Sequence, residues 1–161
     1  MPLFLKILRK IRTAFCLPLT EKLWILLLYP FSGLVRAAIL LLPFKYLSRY
    51  LGQHHQNHEL SPLVSESQRL LAWRIGRITE LVARYTPWES KCLVQAIMAK
   101  TLLNFYHIPY VIHLGAKMTK DPKEPMKAHA WVKVGAWIIT GREGHRAFGI
   151  VSSFVTPSLI D

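Results

Sequence analysis

The chain changes its hydrophobic period once, at Pro109, and that change limits its architecture more than any other feature. Before it, apolar residues recur at helical spacing. Ile75, Ile78, Leu81 and Val82 mark a helix from about Ser65 to Tyr85, ended by Pro87. A further helix starts near Ser90 and runs to about Tyr106, with Leu93, Ala96, Ile97, Leu103 and Phe105 available for burial. Beyond Pro109 the pattern turns to strands. Tyr110–Met118 is β-rich, and "KDPKEPMK" is a polar loop. Ala128–Val134 alternates, Gly135–Ala136 begins a turn, and Trp137–Thr140 is the hairpin partner. "RAFGIVSSF", from Arg146, reads as the last strand. Helices followed by an antiparallel sheet predict an α+β fold.

The first 52 residues read as a basic helical segment. Phe4, Ile7, Leu8 and Ile11 recur at helical spacing, with basic residues largely off that stripe. This suits a helix on a membrane surface, on a partner or on its own domain. Lys6, Arg9 and Lys10 interrupt the apolar run a signal peptide needs. Pro30 and Gly33 split the next apolar stretch into two expected helices. One is capped by Thr20 and ends near Tyr29; the other runs from about Ser32 to Leu42. Neither run reaches the roughly 18–20 residues that span a bilayer. "PFKYLSRYLG" adds a basic helical turn or two that stops at Gly52. Residues 53–64 read as a polar linker and 65–161 as the core. His54 and His58 have the i, i+4 spacing of metal ligands, but with no further ligand set nearby a solvated loop is the expectation and no metal is called for.

Lys and Arg outnumber Asp and Glu by 21 to 9, a formal net charge of +12. That favours an anionic partner without choosing among peptides, membranes and nucleotides. Cys16 and Cys92 make no disulfide framework, so a reduced cytoplasm is the default.

In "PWESKCLVQA", Cys92 falls in the first turn of its expected helix. Unpaired backbone N–H groups and the helix dipole favour a thiolate there, and Lys91 adds positive charge. His129 stands on a strand 37 residues later, flanked by small Ala128 and Ala130. A helix-borne cysteine facing a strand-borne histidine is the logic of papain-like acyl transfer. One Cys and one His can equally be a buried thiol and a core imidazole.

The surrounding words bear on that choice. Lys91-Cys92-Leu93 opening a helix, then "IPYVIHLG", Ala128-His129-Ala130-Trp131, Thr140-Gly141 and the closing "VSSF" resemble the lasso-peptide leader peptidases. These are transglutaminase-like cysteine peptidases. "LLPFKYLSRYLG" is similar to that family's N-terminal helical segment. The resemblance implies a peptidase without metal or cofactor that removes the leader from a precursor peptide, freeing the amine that a separate lasso cyclase uses. It implies the short form of the family, which works with a separate leader-recognition protein. On this reading Cys92 attacks the carbonyl at the leader–core junction and His129 moves the proton. The Cys92 N–H could hold the oxyanion, and Trp88 and Trp131 line the cleft or belong to core and rim.

The family's orienting carboxylate on the strand after the histidine is not evident. After His129 the only side-chain carboxylates are Glu143 and Asp161. A two-residue turn at Gly135–Ala136 pairs His129 with Arg142; a three-residue turn pairs it with Glu143. Otherwise Thr140, a backbone carbonyl or water must orient the ring. Two other functions stay open: a transglutaminase-like acyltransferase, and a non-catalytic membrane-associated scaffold on the basic helices. The expected location is the cytoplasm, with contact to the inner membrane surface and no nucleic-acid partner.

Overall fold

A computed structural model describes residues 17–55 and 61–156. Cys16, His58, Asp161 and the expected helix over the first residues lie outside them. The elements are α1 (Leu19–Leu41), α2 (Phe44–Leu51), β1 (Gln53–His55), α3 (Glu66–Tyr85), α4 (Cys92–Phe105), β2 (Val111–Met118), β3 (Met126–Val134), β4 (Trp137–Thr140), a 3-10 turn at His145–Ala147, and β5 (Gly149–Val155). The strands form one sheet in the order β1-β5-β2-β3-β4, every neighbour antiparallel. The fold is α+β, with the helices ahead of every strand but β1, which joins the sheet from between α2 and α3.

Each boundary has a local cause. The Ser65 side chain accepts from the Gln68 N–H while the Gln68 side chain accepts from the Ser65 N–H, so α3 begins on a capping box. Ile75, Ile78 and Val82 then point into the core. Gly76 lets α3 close onto β4: a Cβ there would stand 2.2 Å from the Ile139 carbonyl oxygen. On α4, Val94, Ala96, Ile97, Met98, Ala99, Leu102 and Leu103 are buried, whereas Phe105, expected inside, is exposed.

Two expectations are corrected. The two short N-terminal helices are one helix, α1, that runs through Pro30 and Gly33 and starts after Pro18 rather than on a Thr20 cap. Proline removes one helical donor, and packing on both sides outweighs that loss. Trp24, Leu28 and Val35 sit in the same core as α3 and α4. The joined helix is long and apolar enough, by length and composition, to cross a membrane, which neither half was. The expected linker also begins as structure. Gln53–His55 pairs with Ser153–Val155 as an edge strand, and His54 meets Phe154 edge-on.

α1 is fastened through polar groups on its inner side. The buried Glu21 carboxylate accepts from Arg74 Nε at 2.7 Å and Arg77 Nη2 at 2.8 Å. Trp24 Nε1 donates to the Tyr106 hydroxyl at 3.1 Å. These contacts leave the buried carboxylate paired, the condition under which burial is tolerated.

Candidate active site

Cys92 is the first residue of α4 and is half-buried against the margin of the core. Its helix begins with Lys91 in extended conformation and no side-chain cap, so no side chain covers the first-turn amides. The preceding loop is held firmly. Thr86 Oγ1 and Ser90 Oγ lie 2.8 Å apart, and Gln95 Nε2 donates to the Ser90 carbonyl at 2.9 Å. Lys91 does not act as an isolated charge beside the thiol: its Nζ is 3.3 Å from Glu89, which also pairs with Arg36 at 2.9 Å.

β3 sorts its side chains by parity. Ala130, Val132 and Val134 enter the helical core. His129 and Trp131 take the other face, opposite Gly115 and His113 of β2. There the His129 ring stacks on Trp131 with centroids 5.8 Å apart and meets Phe148 at 5.1 Å. Trp131 also touches His113 and His145 and is buried. It is a wall for the imidazole. Trp88 is likewise engaged, its Nε1 donating to Ser32 Oγ at 3.0 Å and its ring lying against Gly33 of α1.

The imidazole is oriented by the backbone. His129 Nε2 lies 2.8 Å from the Gly141 carbonyl oxygen. A carbonyl can only accept, so Nε2 carries the hydrogen. In the neutral ring the lone pair then sits on Nδ1, the tautomer a general base needs if Nδ1 faces the nucleophile.

The hairpin explains why a carbonyl stands there. Val134 pairs with Trp137 and Lys133 with Ile138, so the turn has two residues, Gly135 and Ala136. The register then slips: Val132 pairs with Thr140, passing over Ile139. Extended further, that register would bring Glu143 opposite His129. It does not extend, because β4 ends at Thr140 and Gly141 turns away with φ of 69°. A Cβ on Gly141 would stand 2.2 Å from the Ala130 carbonyl oxygen, a close approach open only to glycine. Glu143 is exposed, and its carboxylate has no ion pair or hydrogen bond among the described residues. Thr140 faces the helical core with its hydroxyl buried and without a hydrogen-bond partner. The structure therefore brings His129 to Gly141, and to neither Thr140 nor Glu143. It does not hydrogen-bond the Cys92 thiol to the imidazole. Cys92 packs against the margin of the helical core, whereas His129 lies on the opposite face of the sheet. Among the described residues no group of three or more His, Cys, Asp or Glu could hold a metal.

A cysteine opening a helix that packs on an antiparallel sheet, with a histidine on one of its strands, supplies the residue types that thiol acyl transfer uses. The family model of the transglutaminase-like superfamily matches residues 38–153, and the chain belongs to that superfamily. Its members are typically cysteine peptidases or transferases. No curated protein and no solved structure matches the chain significantly.

Proposed function

We propose that the protein is a cysteine peptidase that removes the leader from a lasso-peptide precursor in the cytoplasm. The observation that supports it most is the Gly141 carbonyl bonded to His129 Nε2, which leaves the lone pair of the neutral ring on Nδ1. The reaction requires His129 and Cys92, apart in this structure, to meet when substrate binds. The Cys92 proton then moves to Nδ1 as Sγ attacks the carbonyl carbon at the leader–core junction. The backbone N–H of Cys92, at the uncapped start of α4, then stabilises the oxyanion on this reading. Collapse breaks the C–N bond, and the leaving amine takes the proton from the imidazolium. Water, deprotonated by the same ring, then hydrolyses the thioester and regenerates the thiol.

The lasso assignment rests on the sequence resemblance around Cys92 and His129. It brings two partners with it: a separate leader-recognition protein, which raises the effective concentration of precursor at the site, and a cyclase that consumes the freed amine. The test is cleavage of a precursor peptide, with and without the recognition protein and with and without an added primary amine. Cys92→Ala should abolish product while leaving the far-UV spectrum unchanged. Full activity in that variant sinks the assignment, and amide products formed only with added amine would make the protein an acyltransferase.

A further inference from the structure

The outer side of α1 is not used by any of this. From Leu23 to Leu42 its exposed residues are apolar apart from the Tyr29 hydroxyl. Leu26, Leu34 and Leu41 are 71%, 70% and 80% exposed. The helix is about 34 Å long at 1.5 Å per residue, so this is a continuous apolar strip rather than scattered leucines. At its end, α2 turns Phe44, Tyr46 and Tyr50 outward beside Lys45 and Arg49. An apolar groove of about 370 Å³ runs between the two helices, walled by Phe31, Leu34, Ala38, Leu42, Tyr46 and Tyr50 among others.

We propose that α1 and α2 form a docking face for an anionic lipid bilayer, with α1 lying flat and its outer leucines in the acyl-chain layer. Three observations choose this occupant. The charged residues of α1 and α2 are Glu21, Lys22, Arg36, Lys45 and Arg49, and the one carboxylate is turned inward onto Arg74 and Arg77. What faces outward is therefore apolar surface rimmed by positive charge, complementary to anionic headgroups. A protein partner would ordinarily meet hydrogen-bonding groups within such an area, and this strip offers almost none. Finally, α1 is bound to the domain through Glu21, Trp24 and Ser32. Crossing the bilayer would strip those contacts and bury the carboxylate in hydrocarbon, so the helix lies in the interface. The groove beside it is lined by apolar side chains, as an acyl chain would need.

The experiment is co-sedimentation of the full chain with vesicles of phosphatidylcholine alone and of phosphatidylcholine mixed equally with phosphatidylglycerol. Binding to the mixed vesicles should be about ten-fold stronger or more, at roughly 1 kcal/mol per basic residue near the surface. The double variant Leu26→Glu/Leu34→Glu should bind on the order of a hundred-fold more weakly, from the lost burial of two leucines. Its thermal midpoint and Cys92 alkylation should be unchanged, since those side chains touch solvent. Lys45→Gln/Arg49→Gln should lose the preference for anionic vesicles while keeping residual binding, and it serves as the readout if the leucine variant does not fold. No vesicle binding, equal binding to both compositions, or undiminished binding by the leucine variant overturns the proposal. So does a stable dimer that the leucine variant dissociates, which would make a second copy the occupant.

Discussion

On β3, Ala130, Val132 and Val134 enter the helical core, while His129 and Trp131, one backbone step away, enter an aromatic cluster with Phe148, His113 and His145. The first face is aliphatic, and the misfit on it is Thr140, whose hydroxyl has no partner. On the second face polar atoms are matched: His129 to a carbonyl, and His113 Nδ1 to Ser153 Oγ at 2.8 Å. Because parity alone separates them, a single strand carries both the packing that holds the fold and the residues of the candidate site. Substitutions should therefore sort by face.

The sharpest test is the residue that serves both. Gly141→Ala puts a methyl group into the Ala130 carbonyl and forces the backbone that presents its own carbonyl to His129. Turnover should fall on the order of ten- to a thousand-fold, scaled down from loss of an orienting group in a serine triad, and the thermal midpoint should drop too. Wild-type turnover in this variant would break the distinction at its base. Next comes Ile112→Ala on the helical face, where the side chain is wholly buried. Urea unfolding should show a loss of about 2–5 kcal/mol, with alkylation of Cys92 unchanged in the folded fraction.

A pH experiment sharpens the same face. Tyr110, buried in the core, has its phenol pushed up to about 12 by desolvation, against an ordinary value of 10.0. A raised acid binds its proton more tightly folded than unfolded, so its contribution is present below pH 10 and is lost as pH rises through about 12. Relative to Tyr110→Phe, the wild type should lose roughly 3 kcal/mol of unfolding free energy across that window. Parallel curves for the two proteins would refute the assignment. The smallest effects are expected at the rival orienters. Thr140→Val removes an unpartnered buried hydroxyl and should stabilise by about 1 kcal/mol without changing turnover. Glu143→Gln should alter neither stability nor rate, and a ten-fold loss there would return the orienting role to the carboxylate.

Much of this was legible from side chains alone. The helix start near Ser65, the helix opening at Cys92, a turn beginning at Gly135–Ala136 and the change of period at Pro109 each leave a pattern in residue types, while the length of that turn stayed open. What escaped reading has no such pattern. The bulge at Ile139 is a backbone event, invisible in the alternation of "WIIT", yet it sets where β4 stops. The partner of His129 is a carbonyl, which every residue possesses, so a search for an acidic side chain could not find it. Glycine at 141 was the available signal, because only glycine fits its positive φ and its close approach to Ala130. Pro30 and Gly33 looked like helix breaks because propensity is local, while the packing that carries α1 through them comes from α3 and α4. Gln53–His55 became a strand through β5, about a hundred residues away.

The loop that carries Cys92 leans on α1. Trp88 bonds to Ser32 and rests on Gly33, and Glu89 pairs with Arg36, all within four residues of the thiol. A displacement of α1 therefore bears on the loop that leads into Cys92. If settling at a surface shifts α1 against the domain, the thiol's position shifts with it. Thermodynamic reciprocity then requires an acyl group on Cys92 to alter the hold on that surface by the same factor. The N-terminal helix and the loop that presents Cys92 thus share their contacts, so a change in the seat of one is felt by the other.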